Sequence, residues 1–209
     1  MKVDLTPSFG FYDIDRTYIE TLRSKDNHVP NCDYEDYDRA RKFYCGPITT
    51  QYGINYFVPV SSQKDKNMYI VGSAANGVRE YYGIEMKDNQ GNSIGSLNFK
   101  FMIPCVHPCF LTPHELTGHS IVENEFCQKN KLFIQKLAND TFINIESNDY
   151  PSLTQTSVNF AEAESAGWEY YDKMMNSKLT NKISQCDRVI NSSHSQPQSS
   201  DFSDKSLGE

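Results

Sequence analysis

The feature that most restricts the fold of this chain is a series of short β-type segments between residues 43 and 105. Each segment is rich in aromatic and β-branched residues, and turn signals such as Asn76-Gly77 separate one from the next. Strands that follow one another without intervening helices pair in an antiparallel way, because parallel strands need long crossover connections. The pattern predicts a largely antiparallel sheet with strands at residues 43–50, 54–60, 68–73, 80–86 and 93–105.

Helical patterns flank this series on both sides. Asp15 is a good N-cap for a short amphipathic helix over residues 16–26. The sequence T-P-H-E at residues 112–115 is a capping box, which predicts that another helix starts there and ends at Gly118. Apolar residues that recur every three or four positions predict two longer helices, over residues 122–137 and 160–179.

Length and composition favour one globular domain. The chain has 209 residues, of which 38% are apolar and 22% are charged, and this is enough for a full core. We therefore expect a single α/β (α+β) domain, with a bent, mainly antiparallel sheet and helices packed around it. Ser, Gln and Asp dominate residues 191–209, so we expect that segment to be a disordered polar tail.

Charge and missing motifs argue against several classes of protein. Twenty Lys and Arg against 27 Asp and Glu give a net charge of −7, which argues against a general polyanion binder but leaves room for a local basic groove. The chain lacks a glycine-rich phosphate loop, a zinc-protease H-E-x-x-H motif and a hydrolase G-x-S-x-G elbow. It also lacks a signal peptide's basic-then-apolar start and any run of apolar residues that could cross a membrane, so we expect a cytoplasmic protein.

Two local patterns could carry chemistry. Ser61, Ser62 and Lys64 follow a predicted strand, and Lys42 precedes another, so hydroxyl and ammonium groups emerge where strands leave the sheet. The alternative interpretation of these residues is a solvated turn and an ordinary surface charge. A second pattern brings four potential zinc ligands within 15 residues, although their spacing is poor for a structural site. These ligands are Cys105, Cys109, His114 and His119.

Taken together, several segments resemble the ToxN/AbiQ family of endoribonuclease toxins from type III toxin-antitoxin systems. In this family an F-Y-x-I segment leads into a short helix that ends in V-P-N, and strands then start with K-x-x-x-G and end with F-M-I-P. A segment of the form Y-x-x-P-L-[TS]-S-x-K lies between these two strand motifs. The corresponding residues here are 11–31, 42–46, 101–104 and 56–64, in the family's order. The resemblance implies a toxin-like domain over residues 11–190, preceded by an N-terminal extension at residues 1–10.

The resemblance also implies an active site and a reaction. It assigns catalytic roles by motif to Tyr18, Lys42, Ser61, Ser62 and Lys64, and to a loop tyrosine for which Tyr37 fits best. Ser61 stands where the family commonly has Thr, which keeps the hydroxyl. Such a site cleaves RNA without a metal ion or other cofactor, because the ribose 2′-OH attacks the phosphate and leaves a 2′,3′-cyclic phosphate. The residues alone do not say which group takes the proton.

The partner implied by the resemblance is a repeat RNA antitoxin that folds as pseudoknots and forms a closed RNA–protein assembly with the toxin. In this family the toxin processes and is inhibited by that RNA, and it acts in growth arrest and phage defence. RNA binding would then need basic side chains sorted onto one surface. The candidates are Arg39, Arg41, Lys66, Lys129, Lys131 and Lys136. Two alternatives stay open, a noncatalytic RNA-binding module on the same scaffold and a zinc-stabilised interaction domain.

Overall fold

We analysed a computed structural model of the chain, which describes residues 7–31, 42–61 and 82–193, with side chains described as far as residue 180. The chain divides into two compact units, Met1–Tyr171 and Asp172–Glu209. The first unit contains every described strand and the helices before residue 160, together with the start of the last helix. The described part of the second unit is helical as far as Ser193.

The sheet of the first unit has seven strands, and every pairing in it is antiparallel. Its order is β4-β5-β3-β2-β1-β7, with β6 paired to β3 beside β5. The fold is therefore the mixed α/β class with the antiparallel sheet that the sequence predicts. The strands are β1 (Gly10–Ile14), β2 (Tyr44–Thr49), β3 (Asn55–Ser61), β4 (Gly83–Lys87), β5 (Ser93–Asn98), β6 (Ile103–Cys105) and β7 (Leu111–Pro113).

A proline in the central strand β3 is tolerated because of where it lies in the ladder. On one side, Pro59 pairs with Tyr44. The position before it is the pair Cys45–Val58, and the position after it is marked by the hydrogen bond from the Val60 N–H to the Phe43 carbonyl. A residue between two hydrogen-bonded pairs directs its amide towards the other neighbour. On that other side, β3 pairs with β6 at Asn55–Phe57 and with β5 from Val60 onwards. Pro59 lies between these two pairings. The missing N–H of Pro59 therefore removes no ladder bond.

Five helices accompany the sheet in the described part of the chain. The first follows the predicted start, since the Asp15 side chain accepts a hydrogen bond from the Tyr18 amide at 2.8 Å. The core between helices and sheet is strongly aromatic, and Tyr56 packs against both Phe142 and Phe160. None of the described helices has the combination of length and apolar character needed to cross a bilayer. The helices are α1 (Arg16–Lys25), α2 (His119–Lys129), α3 (Lys131–Glu146), α4 (Pro151–Thr154) and α5 (Phe160–Ser193).

The prediction of a helix at residues 112–115 is wrong. Leu111–Pro113 forms strand β7, which pairs with β1 at the sheet edge, and the His114 amide continues the pairing with a bond to the Phe11 carbonyl at 3.0 Å. The capping-box pattern was overridden because pairing with β1 satisfies the same backbone groups. Gly118, predicted to end this helix, instead precedes α2 with a φ of 52°.

Other elements differ in their boundaries. The predicted strand 93–105 is broken by the 3-10 turn Phe99–Phe101 into β5 and β6, which pair with different stretches of β3. The predicted helix 122–137 falls in α2 and α3, which are separated at Asn130. Strand β1 was not predicted at all. The predicted strand 68–73 lies outside the described residues, as does the polar tail 191–209 apart from its first three residues, which continue α5.

Candidate active site

Strand register brings Lys42 and Ser61 together. The pairs Tyr44–Pro59 and Cys45–Val58 define the β2–β3 ladder, and the bond from the Val60 amide to the Phe43 carbonyl, 3.0 Å long, extends it by one residue. Lys42 and Ser61 are the next residues along the two chains, beyond the last pair of this ladder, so both lie at the same end of β2 and β3.

The surroundings of this pair fix Ser61 while leaving the side chains within reach of solvent. Lys42 and Ser61 are both half-buried. Ser61 pairs with the buried Ser96 of β5, and the Ser96 hydroxyl donates to the Ser61 carbonyl at 3.4 Å. An ammonium group and a hydroxyl at the same end of two neighbouring strands suit the binding of an anion such as a phosphate, because both groups donate hydrogen bonds and one is charged.

Tyr18 occupies a different environment from this pair. It is fully buried on α1, its ring is stacked on Phe110 with centroids 4.4 Å apart, and its hydroxyl donates to the Pro104 carbonyl at 3.0 Å. Burial raises the pKa of the Tyr18 hydroxyl well above its ordinary value. The hydroxyl is therefore protonated and already engaged, which suits a residue that positions α1 against the strands.

The remaining predicted catalytic and binding residues fall into two groups. Lys129, Lys131 and Lys136 are exposed at the end of α2 and the start of α3, and Lys131 Nζ lies 5.5 Å from the centre of the Phe9 ring. The other predicted residues lie outside the described part of the chain. These are Tyr37, Ser62 and Lys64 of the catalytic set and Arg39, Arg41 and Lys66 of the RNA-binding set.

The cysteine and histidine segment does not assemble as a metal centre. Cys105 is buried and its thiol donates to the His107 carbonyl at 3.4 Å, whereas Cys109 is exposed. His114 Nδ1 lies 3.0 Å from Asp13 Oδ1. Within the described ranges, no group of three or more Cys, His, Asp or Glu side chains could hold a metal ion. The zinc-stabilised alternative therefore has no support in this part of the chain.

Two titratable groups near the site were not singled out from the sequence as participants in catalysis. One is the Asp13–His114 pair, which depends on the pairing of β1 with β7, where the sequence predicts a helix at residues 112–115. The other is Glu123 of α2, whose side chain is 4% exposed and whose Oε1 would lie 2.6 Å from a Cβ atom at Gly95. Burial raises the pKa of Glu123 to about 7. Nothing in the sequence reveals either environment, because each depends on pairing between distant segments.

Two curated proteins are similar in sequence to part of this chain. The chain is 31% identical over 103 residues to the endoribonuclease ToxN of Pectobacterium atrosepticum, a match that covers 46% of this chain and 53% of that protein. It is 32% identical over 94 residues to the endoribonuclease ToxN of Bacillus thuringiensis subsp. kurstaki, covering 45% of this chain and 42% of that protein. The matched region thus spans about half the length of these curated relatives.

Solved structures share the fold over a larger part of the chain. One is a toxin from work on type III toxin-antitoxin systems that describes selective toxin inhibition by a non-coding RNA pseudoknot. It has a TM-score of 0.65 at 20% identity and covers 79% of this chain and 99% of that one. Another is AbiQ, described as a lactococcal anti-phage endoribonuclease of the type III class, with a TM-score of 0.63, 20% identity and the same coverage. A third, from a bacterial antiviral system regulated by a processed non-coding RNA, has a TM-score of 0.57 at 25% identity and covers 75% of this chain and 95% of that one.

The family assignment rests on the match that covers most of the chain. The sequence profile of the family described as "Toxin ToxN, type III toxin-antitoxin system" matches residues 10–185. This match begins at the first residue of β1 and continues into α5, so it includes every described strand. It therefore also includes Lys42 and Ser61, which lie at the same end of the β2–β3 ladder. The chain belongs to the ToxN family of toxins from type III toxin-antitoxin systems.

Proposed function

We propose that this protein is an endoribonuclease toxin that cleaves RNA without a metal ion. The observation that supports the proposal is the β2–β3 register, which brings Lys42 and Ser61 to the same end of two neighbouring strands in a chain of the ToxN family. Two curated members with 31% and 32% identity are named endoribonucleases, and this supports the same activity here. The cytoplasm, where RNA substrates are available, is the expected location.

The chemistry of these side chains suits transfer of a phosphate within the RNA itself. The ribose 2′-oxygen attacks the adjacent phosphorus, the bond to the 5′-oxygen breaks, and a 2′,3′-cyclic phosphate and a 5′-hydroxyl result. The protein must then supply positive charge and hydrogen bonds to the phosphate oxygens as charge develops on them. Lys42 supplies the charge and Ser61 a hydroxyl, with Ser62 and Lys64 assigned to the same task by the family motif.

The partner that we propose is a repeat RNA antitoxin folded as pseudoknots, which binds the toxin in a closed RNA–protein assembly and is processed by it. One structural relative is described as inhibited by a non-coding RNA pseudoknot, and another as part of an antiviral system that a processed non-coding RNA regulates. In this chain the exposed Lys129, Lys131 and Lys136 interleave with Phe133, whose side chain is 55% exposed. Basic groups next to an exposed aromatic ring suit contacts to phosphates and stacking on unpaired bases. Growth arrest and phage defence follow from such an activity.

The activity is tested by incubating the purified chain with single-stranded RNA of mixed sequence and analysing the product ends by mass spectrometry. We expect 2′,3′-cyclic phosphate and 5′-hydroxyl ends from the wild type and intact RNA from Lys42→Ala. Lys87→Ala is the matched control, because Lys87 is an exposed lysine of β4 that pairs with Glu85 at 3.3 Å. RNA that is bound but never cut by the wild type would refute the nuclease and favour the noncatalytic RNA-binding module.

A further inference from the structure

A histidine and an aspartate form a pair at the end of β1. His114 follows β7, its amide donates to the Phe11 carbonyl, and its Nδ1 lies 3.0 Å from Asp13 Oδ1. The His114 side chain is 19% exposed and that of Asp13 is 32% exposed, so the pair is partly accessible to solvent. The pairing of β1 with β7 holds the backbones of Asp13 and His114 in place, so the distance between their side chains does not depend on a loop.

The carboxylate orients the imidazole ring. When Asp13 Oδ1 accepts a hydrogen bond, the proton of a neutral imidazole resides on Nδ1, and the lone pair is left on Nε2. Among the residues that the structure describes, none forms a hydrogen bond with Nε2 of His114. The pair is therefore arranged as a proton acceptor whose accepting atom is available, with its ring held in place by a second group.

The pair also lies next to the strand ends that carry the candidate active site. The His114 ring is stacked on Phe43, with centroids 4.3 Å apart and an interplanar angle of 18°. Phe43 directly follows Lys42 in the chain, and its carbonyl accepts the Val60 amide one residue before Ser61. The imidazole is thus separated by one packed ring from the backbone that presents Lys42 and Ser61.

Among the described residues, the other groups near this end are poorly suited to take a proton from RNA. Lysine, serine and tyrosine side chains hold their protons near neutral pH, and burial makes the Tyr18 hydroxyl a still weaker acid. Glu123 could accept a proton, but the residue is only 4% exposed, so its carboxyl group is much less accessible than the His114 ring. His114 has both the chemistry and the access.

We propose that His114, oriented by Asp13, is the general base of RNA cleavage, an inference that rests on the proposed function. Nε2 takes the proton of the 2′-hydroxyl as the bond from the 2′-oxygen to phosphorus forms. The bond from phosphorus to the 5′-oxygen breaks, and that oxygen takes a proton from the Lys42 ammonium group. Solvent then removes the proton from the imidazolium and returns one to Lys42, so no oxidant, reductant or other reactant is needed.

The position of the two groups agrees with this division of roles. Side chains of neighbouring residues alternate in extended chain, so we expect the Phe43 ring, with His114 stacked on it, and Lys42 to approach the start of β2 from opposite faces. The entering and leaving oxygens of an in-line displacement also lie on opposite sides of phosphorus. A phosphodiester lying across the strand end would meet imidazole on one side and ammonium on the other.

The test uses two substitutions at one position, with cleavage of single-stranded RNA as the readout. His114→Phe keeps an aromatic ring stacked on Phe43 but cannot carry a proton, and we expect it to lower the cleavage rate by about 10²- to 10⁴-fold. His114→Ala should lose as much and should regain part of the rate when free imidazole is added. Imidazole should not rescue His114→Phe, whose ring fills the space, and should not rescue Lys42→Ala.

Controls separate this inference from the proposed function. His28 forms another pair of the same kind, with Nδ1 2.9 Å from Asp26 Oδ1, and His28→Phe should cleave at the wild-type rate. Melting temperatures of all variants establish that they are folded. A folded His114→Phe variant that cleaves like the wild type, while Lys42→Ala does not, would overturn the role of His114 alone. A wild-type protein that cuts no RNA would overturn the proposed function itself.

Discussion

The hydroxyl of Tyr18 lies over Gly167, so that a Cβ atom at residue 167 would be 2.5 Å from Tyr18 Oη. Gly167 is buried in the first part of α5, and Tyr18 is on α1, almost 150 residues earlier in the chain. A distance of 2.5 Å is too short for an ordinary contact between carbon and oxygen. The absence of a side chain at residue 167 is therefore what lets the tyrosine hydroxyl reach the Pro104 carbonyl.

We expect Gly167→Ala to lower the free energy of unfolding by about 1 kcal/mol. Replacing a helical glycine with alanine normally adds up to about 1 kcal/mol of stability, but overpacking a buried contact costs about 1–3 kcal/mol. The overpacking cost should exceed the gain in helix stability, because Tyr18 is fully buried and its ring is stacked on Phe110. Denaturant unfolding measures the difference. In a Tyr18→Phe background the hydroxyl is gone and the contact with Val106 Cγ1 at 3.0 Å remains, so Gly167→Ala should cost less there; equal losses in both backgrounds would contradict the contact with the hydroxyl.

Lys42→Ala should lower the cleavage rate by about 10²- to 10³-fold, the loss seen when one preorganised charged or polar donor is removed. Its free energy of unfolding should change by no more than about 0.5 kcal/mol, because the side chain is half-buried and precedes the strand. Single-turnover cleavage assays and thermal melts measure the two quantities separately. Ser62→Ala and Lys64→Ala should behave in the same way if the family motif assigns their roles correctly.

Ser61→Ala and Ser61→Thr should differ although both alter the same position. Threonine keeps the hydroxyl and favours a strand, so Ser61→Thr should cleave RNA within about threefold of the wild type. Alanine removes the donor and should slow cleavage by about 10²-fold or more. The test is the cleavage rate of each variant, measured under identical conditions. Similar rates for the two variants would exclude a role for the Ser61 hydroxyl.

Cleavage should persist in EDTA. The proposed chemistry uses lysine, serine and histidine side chains, whereas Mg²⁺ sites in proteins are built from oxygen ligands such as carboxylates. Initial rates with and without chelator, at constant ionic strength, should agree within about twofold. Complete loss of cleavage in EDTA that added Mg²⁺ restores would contradict the metal-independent mechanism.

Glu123 should make the protein less stable as the pH rises. Burial raises its pKa in the folded protein to about 7, above the value of 4.5 expected for an unhindered glutamate. Below pH 4.5 both the folded and the unfolded chain hold this proton. Between pH 4.5 and 7 only the unfolded chain releases it, so stability falls there and levels off above about pH 7.

Glu123→Gln should abolish this fall, because the glutamine cannot ionise. The free energy of unfolding of the variant, relative to that of the wild type, should therefore rise by an amount on the order of 3 kcal/mol between pH 4.5 and 8. Urea unfolding at several pH values measures the gain. Glu125→Gln, at an exposed position of the same helix, is the control and should follow the wild type at every pH. A constant difference between Glu123→Gln and wild type across this range would contradict the raised pKa.

The sequence by itself determined the elements whose signals are local. Helix α1 begins where Asp15 caps it, since the capping bond spans only three residues. The antiparallel sheet and the candidate catalytic residues Lys42 and Ser61 were likewise recognisable, from turn spacing and from the family motifs. Each of these features depends on residues that are near one another in the chain.

Tertiary structure decided the features that depend on pairing between distant segments. Residues 111–113 carry a helix-start signal and yet form β7, because their backbone groups pair with β1, about 100 residues earlier. The same pairing joins His114 to Asp13, and the β2–β3 register brings Lys42 and Ser61 to the same end of the ladder. A slip of one residue in that register would send Ser61 to the other face of the sheet, and only packing across the whole sheet excludes it.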